Sequence, residues 1–155
     1  MDYYIVNLSH QRRDQPYIGV WRPECNGYAW PLSWAGRYSE TEVRSALDYY
    51  NSGENVAVPC HVLDEVALEK PIPGWIDGDA GPVVRNTKET WQTILANVIA
   101  PPKYRPWPEY RGAPRKKRSN VRANLPAEAR SVSLVRDDAS MAACQAYAAC
   151  RSGSG

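Results

Sequence analysis

A chain of 155 residues with 43% hydrophobic and 23% charged residues has the composition of a soluble globular protein, with room for one ordinary domain or a smaller one with a tail. No run approaches the roughly 18 apolar residues of a membrane span, and MDYYIVNLSHQRRD lacks the charge-then-apolar order of a secretory leader, so no membrane partner and a cytoplasmic address are expected. The net charge of +2 hides a division: residues 1–100 hold eight Lys/Arg against thirteen Asp/Glu, residues 101–125 eight against one, and residues 126–155 three against three. The expected organisation follows these boundaries: a compact α+β domain over 1–100, a proline-rich basic arm over 101–125, and a poorly ordered or short-helical tail over 126–155.

In chain order, Tyr3 to Leu8 reads as a first strand, apolar enough to be central. The next stretch, YIGVWRPECNGYAWPLSWAGRY, concentrates aromatic residues between Tyr17 and Tyr38. Tyr17, Ile18, Val20 and Trp21 have strand character, Pro23 to Gly27 supplies turn chemistry, and Tyr28 to Trp30 begins an antiparallel return. Pro31 cannot donate to a ladder, so the return strand is an edge, is bulged, or ends there. Ser39 with Glu42 forms a capping box for a helix whose apolar stripe is Val43, Ala46, Leu47 and Tyr50, stopped by Asn51-Ser52-Gly53. Asn55 to Val58 is a short strand, Pro59 opens a second helix with Val62, Leu63, Val66 and Ala67, and Pro82 to Arg85 is another short strand. Asn86 with Glu89 repeats the capping spacing before Trp91, Ile94, Leu95 and Val98. The fold class expected is therefore α+β: a small, mostly antiparallel sheet of three to five short strands, three amphipathic helices on one face, and an extended basic C-terminal arm.

In a chain with no Phe, Trp and Tyr must serve as the large core residues. The same residues also suit a stacking surface for a base, sugar or peptide, and on that reading the hairpin's binding residues are Trp21, Arg22, Tyr28, Trp30, Trp34 and Arg37. Beyond residue 100, prolines and cations replace core-forming residues. Lys103, Tyr104, Arg105, Trp107, Arg111, Arg115, Lys116, Lys117 and Arg118 combine phosphate-contacting charge with stacking rings, which makes the arm a second candidate binding surface; the plainer reading is a solvated tail.

Catalytic and metal signals are sparse. Cys25, Cys60, His10 and His61 are zinc-ligand types without a CxxC or HxxxH pair to anchor them, so no metal and no cofactor are expected. Asp77 and Asp79 in a glycine-rich loop have the spacing to hold a divalent cation, or simply to hydrogen-bond their own turn. His10 with Arg12, Arg13 and Asp14 forms an acid/base and anion-binding cluster, or a solvated loop. No phosphate-binding or nucleophile-elbow motif is present in the sequence.

The runs YYIVNLSH, WRP followed by GYAWPLSWAGRY, DYYNSGENVAVPC, DAGPVV and APPKYRPWPEYRGAPR resemble a group of small proteins encoded by bacteriophages and prophages, over roughly residues 3–115, with WPLSWAGRY the most specific segment. The resemblance implies a phage accessory protein at work in the cytoplasm of a bacterial host; it brings no activity or catalytic residue with it. Two functions are therefore expected. One is non-catalytic binding of a host macromolecule, a protein or a protein–nucleic-acid complex, with interference in host defence or transcription as one form. The other is a small metal-dependent enzyme acting on nucleotides or nucleic acid through Asp77, Asp79 or His10, with Trp30 and Trp34 stacking on a base.

Overall fold

The structure is a computed structural model and describes residues 1–69 and 81–116. Its central element is β1 (Asp2–Asn7), whose sequence DYYIVN sends apolar side chains to both faces, so that five of its six residues are buried. A strand buried on both faces must also satisfy the backbone groups of both edges. Along one edge β5 (Asn55–Pro59) runs antiparallel, from Tyr3↔Pro59 to Asn7↔Asn55. The other edge is shared. Val6 pairs with Val20 of β2 (Val20–Trp21), while Asp2 and Tyr3 pair with Ser39 and Tyr38 of β4 (Tyr38–Ser39). β3 (Tyr28–Ala29) adds to β2 through Val20↔Ala29 and Trp21↔Tyr28, which is the antiparallel hairpin expected from the aromatic stretch. The result is a five-stranded antiparallel sheet, and the fold is α+β.

The described helices are α1 (Glu40–Ser45), α2 (Leu47–Tyr50), α3 (Cys60–Val66) and α4 (Lys88–Ala96). They divide between two faces, where three on one face were expected. Tyr4, Val6 and Leu8 point into a core with Leu63 of α3 and Trp91 and Ile94 of α4. Tyr3 and Ile5 point the other way, to Trp21, Tyr38, Val43 of α1 and Tyr50 of α2. A central strand that is apolar on both faces needs cover on both. The single helix expected from Ser39 to Tyr50 is broken at Ala46 (φ −137°, ψ 51°), where the Ser45 hydroxyl donates back to the Glu42 carbonyl at 2.7 Å and competes with the helical ladder. Ser39 caps α1 as expected, its Oγ accepting from Glu42 N at 3.2 Å.

Two further expectations are corrected. Thr87, not Asn86, caps α4, because its Oγ1 accepts from Thr90 N while the Asn86 side chain is taken up elsewhere. Pro82 to Arg85 forms isolated bridges in place of a strand: Val83 pairs with both Pro31 and Leu68, and Arg85 pairs with Tyr17. β3 ends before Pro31, one of the outcomes its missing N–H allowed.

The compact unit runs from Met1 to Pro114, so the segment just beyond residue 100 belongs to the body. Its prolines leave it no ladder of its own, and it satisfies its polar groups on neighbouring elements. Tyr104 N donates to Ser52 O at 2.8 Å, Tyr110 packs on the first core, and Arg13 donates to Glu109 Oε2 at 2.6 Å and to Ala113 O at 3.2 Å. Gly53 (φ +105°) permits this approach, since a Cβ there would collide with the Tyr104 carbonyl. Asp77, Asp79, Lys117, Arg118 and the tail expected over 126–155 lie outside the described residues. A chain ending at Ala100 loses these contacts, and we expect it to be less stable than one ending at Pro114 by about 2–4 kcal/mol. Equal urea midpoints for the two chains would show that residues 101–114 contribute nothing to the fold.

Candidate functional site

Strand alternation decides which hairpin aromatics are core and which are surface. Trp21 and Tyr28 are cross-strand partners on the same side of the sheet, but Trp21 is only 6% exposed whereas Tyr28 is 47% exposed. The Trp21 ring meets Tyr38, Tyr49 and Tyr50 at centroid distances of 6.5, 5.4 and 5.9 Å, and its Nε1 donates to Asn55 Oδ1 at 3.3 Å. Trp21 is thus a core residue, not part of a binding face. Tyr28 of β3 and Trp30, just beyond its end, line a cleft of about 240 Å³ together with His10, Gln15 and Gly19.

The cleft has aromatic walls and an amide floor. His10 lies against Tyr28 with ring centroids 5.0 Å apart, and Trp30 meets the buried Tyr17 edge-on at 5.6 Å. Desolvation holds the Tyr28 hydroxyl above the usual phenol pKa, so it stays a neutral donor at physiological pH. In the floor, Asn7 Oδ1 accepts from His10 N at 2.8 Å, and Asn7 Nδ2 donates to Ser9 Oγ and Asn55 Oδ1. Gln11 Oε1 accepts from Gly19 N at 3.0 Å, and Gln11 Nε2 donates to Tyr17 O and Gln15 Oε1 at 3.1 Å each. Gln15 Oε1 also accepts from Arg12 N at 3.0 Å. These backbone partners fix which end of each amide is oxygen. Gly19 leaves the space: a Cβ there would meet only Gln11 Oε1, at 4.0 Å.

The loop of the floor is clamped from behind by Asn86. Its Nδ2 lies 3.2, 3.0 and 3.0 Å from the carbonyls of Arg12, Gln15 and Glu109, and its Oδ1 accepts from Trp91 Nε1 at 2.7 Å. One buried amide therefore joins the cleft loop, α4 and the segment after residue 100. The charges near the cleft are engaged: Arg12 pairs with Asp14 at 2.9 Å and Arg13 with Glu109 at 2.6 Å. Of the cluster expected around His10, Arg12 and Asp14 pair with each other, Arg13 turns to Glu109, and His10 Nδ1 shares a hydrogen bond with Ser9 Oγ at 3.0 Å, so among the described residues no hydrogen bond or ion pair joins His10 to them.

The remaining predicted residues are scattered. Trp34 is 53% exposed with the Arg22 guanidinium 5.9 Å from its ring centroid. Arg37 crosses to the first face, where its cation sits 5.5 Å from the Tyr4 ring centroid and its Nη2 donates to Tyr4 Oη at 3.1 Å; Tyr4 Oη in turn donates to Asp64 at 3.0 Å. Lys103 lies by Tyr104, which is 46% exposed, and Arg105 by Trp107, at 5.7 and 5.3 Å from the ring centroids; Arg111, Arg115 and Lys116 are exposed. The zinc-ligand types are not brought together, for Cys25 packs on the second core and Cys60 in the first. Among the described residues no three His, Cys, Asp or Glu side chains converge. Asn7, Gln11, Gln15 and Gly19 were not named from sequence. The only signal for them was a glycine inside an otherwise strand-like run, flanking the Tyr28/Trp30 pair.

Comparison with protein-family models, with curated proteins and with solved structures finds no significant match for this chain.

Two consequences are measurable. Asn86→Ala leaves the buried Trp91 indole N–H and the Gln15 and Glu109 carbonyls without this side chain, and a loss of about 1–3 kcal/mol is expected, with faster amide exchange in residues 10–15 than in β1; unchanged exchange there would refute the clamp. Burial pushes the Cys60 thiol up to about 11 and the Tyr38 phenol up to about 12. Both groups hold their protons more tightly folded than unfolded, so the stability they confer is complete below the unfolded values of 9.0 and 10.0 and is lost as pH rises through the folded ones. Urea midpoints should therefore fall above about pH 9, and less steeply in Cys60→Ala; identical slopes would exclude Cys60 as a contributor.

Proposed function

We propose that this chain is a phage-encoded accessory protein of the bacterial cytoplasm that binds a host macromolecule without catalysing a reaction on it. The observation that carries this reading is the hairpin: one side of β2–β3 is fixed in the core by Trp21, and the next aromatics along it, Tyr28 and Trp30, wall an open cleft. Aromatic side chains have few rotatable bonds, so they lose little entropy on binding while supplying large contact areas, which is the character of interface anchors. The exposed Arg22–Trp34 and Lys103–Tyr104 pairs, and Arg105 over the half-buried Trp107, add cation-bearing rings suited to an acidic partner surface or to nucleic acid within a complex. Its mode of action is occupation of a partner's surface, and interference with host defence or transcription is the form that the phage resemblance suggests.

The test is capture from nuclease-treated bacterial lysate by the full chain and by Tyr28→Ser and Trp34→Ser variants. Loss of one anchor of this kind costs about 2 kcal/mol, or roughly 30-fold in affinity. A specific protein retained by the wild type and depleted from the Tyr28→Ser bait is the expected result. Equal recovery by all three baits would remove the aromatic surface from the function.

A further inference from the structure

We infer that the His10–Tyr28–Trp30 cleft is a receptor for a proline ring in an extended, basic, proline-rich peptide segment of the partner. The inference rests on the macromolecule-binding reading and names the chemistry that the site recognises.

Three features select this ligand. The first is charge. No Lys, Arg, Asp or Glu is among the residues lining the cleft, and the arginines of its loop, Arg12 and Arg13, are paired with Asp14 and Glu109. A nucleotide would bring a phosphate close to its base with no unengaged cation among the lining residues to receive it. The compact unit from Met1 to Pro114 holds eleven Lys/Arg against fourteen Asp/Glu, and the exposed Glu54, whose carbonyl accepts from Leu8 N and Ser9 N at the start of the cleft loop, adds a carboxylate beside it, which favours a basic peptide.

The second feature is hydrogen-bond polarity. The amide oxygens of Asn7, Gln11 and Gln15 already accept from backbone N–H groups, and the amide nitrogens of Asn7 and Gln11 already donate. Gln15 Nε2 and the Tyr28 hydroxyl make no such bond among the described residues, so what the cleft offers a ligand is chiefly donors. A proline-rich backbone is the complementary object, since it presents carbonyl acceptors and lacks the N–H of every proline. A sugar brings a donor as well as an acceptor with each hydroxyl, and a floor whose amide oxygens are already engaged matches only the acceptor half of it.

The third feature is size. A cleft of about 240 Å³ walled by Tyr28, Trp30 and His10 holds one ring and leaves the rest of an extended chain to cross the rim.

The experiment is a titration of the full chain with a short peptide of Pro-Pro-Ala-Arg repeats, followed by NMR of the Trp30 indole, His10 ring and Gln15 side-chain amide signals. The control peptide has every proline replaced by alanine. We expect the proline peptide to shift all three signals and the alanine peptide to bind at least about tenfold more weakly. Gly19→Leu fills the cleft where only Gln11 Oε1 stands within 4.0 Å of a new Cβ, and Tyr28→Phe keeps the aromatic wall while removing its hydroxyl donor without a change of charge. Each variant should keep the β1 amide spectrum and lose binding by about tenfold or more. Equal binding of the alanine peptide overturns the inference, as does a response of these signals to oligothymidine or a neutral oligosaccharide and not to the proline peptide. If the peptide gives no response while lysate capture still depends on Tyr28, the proline ligand falls and the macromolecule reading stands; if capture is also indifferent to Tyr28, both fall.

Discussion

The fold depends on the double burial of β1. A short strand with Tyr3 and Ile5 on one side and Tyr4 and Val6 on the other cannot sit at a surface, so helices must cover both faces and other strands must occupy both edges. The shared edge has a particular consequence. β4 takes the Asp2–Tyr3 end and β2 the Val6 end, which brings the hairpin beside Asn7, where the second face changes from apolar to polar. There Asn7 and Asn55 face each other across β1 and β5 and bond at 3.0 Å, and Asn55 also receives the indole of Trp21. The aromatic core ends at this amide pair, and the cleft begins beyond it.

A polar-floored cleft is costly to hold open unless every buried group in its floor is satisfied. Among the described residues no buried side-chain nitrogen or oxygen lacks a partner, and Gln11 and Asn86 show how this is achieved. Gln11 bridges the loop to the Tyr17–Gly19 strand entry, while Asn86 ties the same loop to α4 and to Glu109. The segment after residue 100 thus acts as the outer support of the cleft loop, since Arg13 reaches it through both Glu109 and Ala113. Disturbing that segment loosens the loop before it disturbs the sheet.

Much of this was legible in sequence because local chemistry and global fold agree there. The unbroken apolar run YYIV marked a central strand, Pro23–Gly27 marked the hairpin turn, and Ser39 marked a helix start. What was not legible depended on tertiary partners. The break at Ala46 follows from the Ser45 hydroxyl and the turning of Tyr49 and Tyr50 onto Trp21, which periodicity does not encode. β4 is two residues long and exists only because β1 has a vacant half-edge. The composition shift at residue 100 was real, but composition reports whether a segment can build its own core, not whether it can dock on another. At the site, Tyr28 and Trp30 stood out by type, whereas Asn7, Gln11 and Gln15 are ordinary polar residues whose role comes from the backbone groups they meet.

The chain's reliance on Trp and Tyr leaves one physical criterion for separating core from recognition surface. A buried ring with a polar handle needs an internal partner for that handle. Trp21 finds Asn55, Trp91 finds Asn86, Tyr4 finds Asp64 and Tyr38 finds the Arg22 carbonyl at 2.6 Å. No such side-chain bond is made by Tyr28 or Trp34 among the described residues, and each is about half exposed. A ring left in water with its donor unspent gains from being covered, and gains more when the covering group also supplies an acceptor. By that criterion Tyr28 and Trp34 are surface by design of the fold, while Trp21, equally aromatic and one strand away from Tyr28, is not.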